Sequence, residues 1–183
     1  SWEHIQEFNE GVIALTACSN GVLSRKIMSD EEDLAIEYML RLKSIFKDNL
    51  YLELQPHSLK TDDGKVDQQR VNQCLLRLSR DYNIPYVITC DAHYRDKEHA
   101  KYHDMMLAIK DKKALDDPDR FKYGVQDMYL KTYEEVEDFF GKDVAEVGLM
   151  NSINIASMCE DPSYIGPTGP VLPSFDVRQE EDY

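Results

Sequence analysis

Three apolar runs of strand length, Val12 to Ala17, Leu50 to Gln55 and Tyr86 to Thr89, are separated by two long stretches with helical periodicity. This spacing of strand, helix, strand, helix, strand constrains the chain most. It predicts parallel βα units, in which a helix crosses over between neighbouring strands. Working residues in such sheets collect beyond the carboxyl ends of the strands. The chain therefore reads as α/β, with its chemistry sought after Ala17, Gln55 and Thr89.

The third run carries the clearest signal. Pro85 leads into Tyr86 to Thr89, a β-branched, buried type of strand, followed by Cys90-Asp91-Ala92-His93-Tyr94. If the backbone stays extended, residues two apart face one side, so Asp91 and His93 can reach one point. A carboxylate with an imidazole suits Zn, Mn or Fe. On spacing alone, a loop Asp beside a surface or stacked His is the stronger reading. Cys18 lies after the first run and is a second candidate, because thiolate is a good zinc donor. Its ordinary reading is a small buried hydrophobe. That Cys18, Asp91 and His93 all fall beyond strand ends shifts weight toward a metal site.

The flanking segments fill in the pattern. Trp2 to Asn9 reads as the tail of a helix stopped at Gly11. Ser29-Asp30-Glu31-Glu32 offers a capping serine and acids for a helix from Glu31 to Phe46, with a helical turn before it. Glu53, within the second strand, faces outward or is paired inside. Thr61 to Lys65 is turn chemistry, and Asp67 to Tyr82 is a helix with Val71, Leu75, Leu76 and Leu78 inward. A further helix from Lys97 to Lys110 has Tyr102, Met105, Met106 and Ile109 on one face. His99 and His103 stand four apart on it, but no Glu follows the first, so a solvated face is the favoured reading. Asp116-Asp117-Pro118 marks a turn. Met128 to Lys131 is extended, and Thr132 to Glu135 forms a capping box for a helix to Phe140. The last helix, Val144 to Cys159, is expected to turn Val147, Met150, Ile153, Ile155 and Met158 inward. Gly166, Pro167, Gly169, Pro170 and Pro173 then suit a linker.

Bulk properties bound the function. At 183 residues, 42% hydrophobic and 31% charged, the chain suits one domain, or one domain plus a tail. A net charge of −14 and a pI near 4.7 argue against a large phosphate-binding surface. Four scattered cysteines without a Cys-x-x-Cys pair fit a reducing cytoplasm, and neither a membrane span nor a secretory signal is expected. Opening at Ser1-Trp2-Glu3, the chain is expected to be an excerpt of something longer.

Several segments together resemble a known family. Gly11 to Cys18, Tyr51 to His57, Pro85 to Tyr94, His103 to Ile109, Leu115 to Arg120, Met128 to Glu135, Asn151 to Cys159 and Leu172 to Phe175 are similar, in order, to bacterial DNA polymerase III alpha subunits, the C-family replicative polymerases. The resemblance implies the later part of the polymerase and histidinol phosphatase (PHP) domain over 1–161. It implies a distorted β/α barrel with parallel strands, C-terminal helices, and a Pro/Gly linker toward the polymerase core over 162–183. Asp91 and His93 match the family's late Asp-x-His metal ligands, and Cys18 matches a ligand that some members keep. Glu53, His57 and His103 match recurrent positions without an assigned role. Asn20, Gly21 and Ser58 depart from commoner family residues. Zn or Mn is implied for the intact domain, whose early His-x-His ligands are expected upstream, and Mg for the parent polymerase. The implied activities are DNA-directed DNA synthesis in the parent and a metal-dependent 3′-to-5′ exonuclease in some PHP domains, with this piece alone inactive. The alternatives are a scaffold or a free-standing PHP phosphoesterase. Implied partners are a proofreading subunit, the sliding clamp and DNA. Self-association is also expected, through an unpaired edge at the first strand.

Overall fold

The computed structural model describes residues 1–61, 66–159 and 169. The turn expected over 61–65 lies, beyond Thr61, outside them, as does the linker expected over 162–183 apart from Gly169. Helix α1 (Trp2–Glu7) leads to β1 (Ala14–Leu15), α2 (Val22–Met28) and α3 (Glu32–Phe46). Next come β2 (Leu50–Leu54), α4 (Gln68–Tyr82), β3 (Tyr86–Ile88), α5 (Ala100–Asp111), α6 (Tyr133–Phe140) and α7 (Lys142–Met158). The strands form one parallel sheet in the order β1-β2-β3, with Ala14 beside Leu50 and Leu52 beside Tyr86. This is the expected partial α/β fold, followed by helices.

β2 is the central strand, and Leu50, Leu52 and Leu54 are fully buried in it. Strands covered on both faces read as continuous apolar runs, and these three do. Each such side chain contributes about 2 kcal/mol by leaving water. Ala35, Met39 and Leu42 of α3, with Val71, Leu75 and Leu78 of α4, complete the core on spacings of three, four or seven. Asp67 caps α4 by accepting from the Arg70 N–H, and Asn83 ends it in the left-handed region at φ 49°.

β1 is shorter than expected. Ala17 takes φ 64°, which breaks the extended backbone, and the Thr16 hydroxyl accepts the Glu53 N–H where the next ladder bond would fall. Ser29 does not cap α3. It closes α2 instead, and α3 starts after Glu31 without a side-chain cap. The capping box at α6 forms as expected between Thr132 and Glu135.

The inward face expected for α7 is corrected, and the shared apolar face of α5 is an exposed one. On α5 the residues turned in are Ala100, His103, Asp104, Leu107 and Ala108, while Tyr102, Met105, Met106 and Ile109 are exposed. On α7 the buried residues are Ala145 and Gly148; Val147, Met150, Ile153 and Met158 face out, and Ile155 is half-buried. The reason is how close α7 lies to β3. Gly148 sits directly on Ile88, Asn151 Nδ2 donates to Tyr86 O at 2.8 Å, and Ser152 Oγ donates to Ile88 O at 2.7 Å. Large side chains have no room at that contact. No helix among the described residues is long and apolar enough to cross a membrane.

A candidate metal centre at the carboxyl ends of the strands

The three strands end on a polar layer with Glu53 at its centre. Its N–H donates to Thr16 Oγ1 after β1, and its Oε1 accepts from Thr89 Oγ1 after β3 and from Gln55 Nε2 at 3.0 Å. Glu53 is thus paired, which the sequence left open. The chain of bonds continues to His57, buried at 1% exposure. Leu59 N–H donates to His57 Nδ1 at 3.3 Å, so this nitrogen carries the lone pair. Nε2 then holds the proton and donates to Gln55 Oε1 at 3.0 Å. His57 is a neutral imidazole with both nitrogens engaged. Burial depresses its pKa, against the pull of Asp127 and Asp91.

Beyond β3 the backbone does not stay extended. Asp91 takes φ 44°, so the two-apart argument for Asp91 and His93 fails at its first residue. His93 is placed differently. Its N–H donates to Met128 O at 2.9 Å, and Tyr94 bridges Tyr129, so the expected extended piece Met128 to Lys131 pins this loop. The His93 ring turns back on its own loop, with Nδ1 2.7 Å from Asp91 O. A carbonyl only accepts, so Nδ1 carries the proton and the Nε2 lone pair points outward. Nε2 lies 3.3 Å from the Tyr123 hydroxyl.

Rings close around this point. Tyr123 stacks on His103 at 5.7 Å and meets His93 edge-on at 5.2 Å. His103 also contacts His93 and Tyr94, and its pKa is lowered by burial and then by His93. His99 instead lies beside Asp96 and Tyr102, so the two histidines of α5 keep different company. Behind His103, the Arg120 guanidinium forms two bonds to the Asp104 carboxylate at 2.7 and 2.6 Å, holding that carboxyl below its usual range.

Cys18 is half-buried in a loop that closes tightly: a Cβ at position 21 would meet Thr16 O at 2.8 Å, so only glycine fits. Burial raises the Tyr123 phenol, and the charges of Asp91 and Cys18 reach it and push the same way. Tyr123 thus touches one of the three sequence-derived donors, His93, and feels the charges of the other two. Sequence reasoning missed it, since Lys122-Tyr123-Gly124 carries no motif. It also missed Asp127, whose Oδ2 accepts the Ser58 N–H at 2.9 Å while the buried Oδ1 has no partner. Among the described residues, no three of His, Cys, Asp and Glu stand together as a group that could hold a metal ion. As the side chains stand, with His93 engaged at both nitrogens, a metal does not fit.

The comparisons with known proteins agree with this layout. A model of the PHP domain matches residues 1–57. The DNA polymerase III subunit alpha of Thermus aquaticus is 36% identical over 167 residues, which is 90% of this chain and 13% of that protein. That of Borreliella burgdorferi is 32% identical over 178 residues, 97% of this chain and 15% of the relative. That of Aquifex aeolicus is 30% identical over 185 residues, 98% of this chain and 15% of the relative. Fold and match together are consistent with a partial PHP-type α/β fold. Over most of its length the chain is homologous to DNA polymerase III alpha subunits, and it spans 13 to 15% of these three relatives.

Proposed function

We propose that the chain is the later part of the PHP domain of a replicative DNA polymerase III alpha subunit, with residues 1–161 in that domain and 162–183 leading toward the polymerase core. The parent carries out DNA-directed DNA synthesis, with Mg, alongside a proofreading subunit and a sliding clamp in the cytoplasm. The supporting observation is identity of 36% over 90% of this chain. Cys18, Asp91 and His93 are the proposed donors of this segment to a divalent ion, Zn or Mn. Completed by donors outside this segment, such a centre would polarise a phosphodiester and activate a water for 3′-to-5′ hydrolysis. The chain's own residues position: Asp91 O fixes the His93 tautomer, and Thr89 and Gln55 fix the Glu53 carboxylate.

The test is Asp91→Asn in the full-length parent. Metal-dependent 3′ trimming of labelled DNA is expected to fall at least about a hundredfold, with synthesis within about twofold of the unaltered subunit. Trimming that survives Asp91→Asn moves the site elsewhere.

A second reading has its own support. The exposed apolar faces of α5 and α7 suit contacts with other parts of the parent or of a replisome, so the segment serves as a scaffold. Under this reading the parent shows no trimming to lose. The open edge at β1 is the proposed route of self-association, which light scattering on the 183-residue chain should show as a mass rising with concentration. A constant monomer mass would remove that route.

A further inference from the structure

We infer that the outer face of α5 is a docking surface for an amphipathic helix of a protein partner, one whose apolar stripe is flanked by carboxylates. This rests on the scaffold reading, in which the exposed faces of α5 and α7 make contacts, and it names the chemistry that the α5 face accepts.

Spacing defines the stripe. Tyr102, Met105, Met106 and Ile109 are 53%, 44%, 63% and 70% exposed, and they recur at intervals of three, four and seven along α5. That rhythm puts all four on one side of the helix. Large apolar groups left in water in this arrangement are the anchors by which one helix receives another. Two of the four are methionines, whose unbranched thioether chains adapt to an incoming surface.

Charge selects the kind of helix. The α-helical turn places Lys101 and Lys110 about 90° to either side of the stripe, and both are exposed. Lys101 Nζ lies 4.9 Å from the centre of the Tyr102 ring, so this cation stays against the band it flanks. The two acids of α5 sit on its opposite side: Asp104 pairs with Arg120, and Asp111 Oδ2 accepts the Phe121 N–H at 3.3 Å. In a chain of net charge −14, this helix therefore shows water an apolar band with a cation on each flank. Carboxylates beside the stripe of an incoming helix meet those cations, whereas lysines there are repelled. A second copy does not suit the same face. Two α5 helices packed antiparallel about a twofold axis would set Lys101 of one beside Lys110 of the other.

The test titrates the 183-residue chain against two synthetic helical peptides, read by fluorescence anisotropy. Both carry the same leucine stripe; one has glutamates on its two flanks and the other has lysines. The glutamate peptide should bind about tenfold more tightly at low salt, with the gap narrowing at about 0.5 M salt. Met106→Asp, at an exposed position, should weaken the glutamate peptide about tenfold without moving the unfolding midpoint. Lys101→Glu combined with Lys110→Glu should reverse the order of the two peptides. Equal affinities that Met106→Asp still abolishes overturn the inference and leave the scaffold reading standing. An oligo-dT strand that binds through Lys101 and Lys110 while the peptides do not would assign the face to nucleic acid. Self-association that Met106→Asp abolishes would assign it to a second copy, and either result overturns the inference. Binding of neither peptide overturns it too, and leaves the scaffold reading to α7 alone.

Discussion

Gly148→Ala is expected to destabilise the chain, although the same change at an open helical position stabilises by about 1 kcal/mol. A Cβ built at Gly148 lies 2.5 Å from both Cδ1 and Cγ1 of Ile88 and 3.3 Å from its Cβ. Ile88 is buried at 2% exposure, so it has little space into which to retreat. Moving α7 away instead would break the bonds of Asn151 and Ser152 to β3. Overpacking of this kind costs about 2 kcal/mol for alanine and, with a branched side chain in Gly148→Val, about 3 kcal/mol or more. Urea unfolding followed by circular dichroism measures both. A Gly148→Ala chain as stable as the original would mean that α7 does not seat on β3 in this way.

The second large effect is expected at His57. His57→Ala removes a buried ring and leaves the Leu59 N–H and Gln55 Oε1 without partners, a loss of about 3 kcal/mol. His57→Gln can remake both bonds and should cost about 1 kcal/mol. The two variants also separate packing from protonation. The folded pKa of His57 lies below the ordinary 6.5, because burial opposes the charge more than Asp127 and Asp91 favour it, and Lys131 and His93 add to the opposition. The unfolded chain therefore takes up the proton first as the solution is acidified. The stabilising contribution is complete above pH 6.5 and is lost as pH falls from there toward the folded value. Unfolding midpoints at several pH values on either side of 6.5 should fall less steeply with acid in His57→Gln. His103, shifted the same way by burial, accounts for a residual slope. An undiminished slope in His57→Gln would assign the titration to another group.

The parallel sheet, α3, α4 and α6 were legible because local rules and tertiary packing agree there. Leu50, Leu52 and Leu54 read as a buried strand and are one, and Thr132 to Glu135 reads as a capping box and forms one. Periodicity misplaced the inward face of α7 and, on α5, gave a face without saying where it points. It reports that an apolar stripe exists, not which neighbour lies against it. On α7 the stripe of Val147, Met150 and Ile153 lost the inner position to Gly148, Asn151 and Ser152, because a close approach to backbone favours small and hydrogen-bonding groups. The two mid-helix polar residues were the available signal. At the candidate site, Asp91 and His93 were chosen by residue type, but their geometry depends on a left-handed φ at Asp91 that no short pattern announces. Tyr123 arrives from a loop 30 residues downstream of His93, a juxtaposition only the folded chain can make.

The grip of α7 on β3 has a further consequence for assembly. In the ladder, Pro85 O and the Thr89 N–H bond to β2, so the carbonyls of Tyr86 and Ile88 point the other way. Those are the two that Asn151 and Ser152 occupy. One margin of the sheet is therefore sealed by side chains from a helix, which leaves the β1 margin, among the described residues, as the proposed side for recruiting another chain. A molecule with a single adhesive side pairs about a twofold axis and stops there, because a growing fibre needs two. Crowded copies of this chain should accumulate as closed pairs, not as filaments.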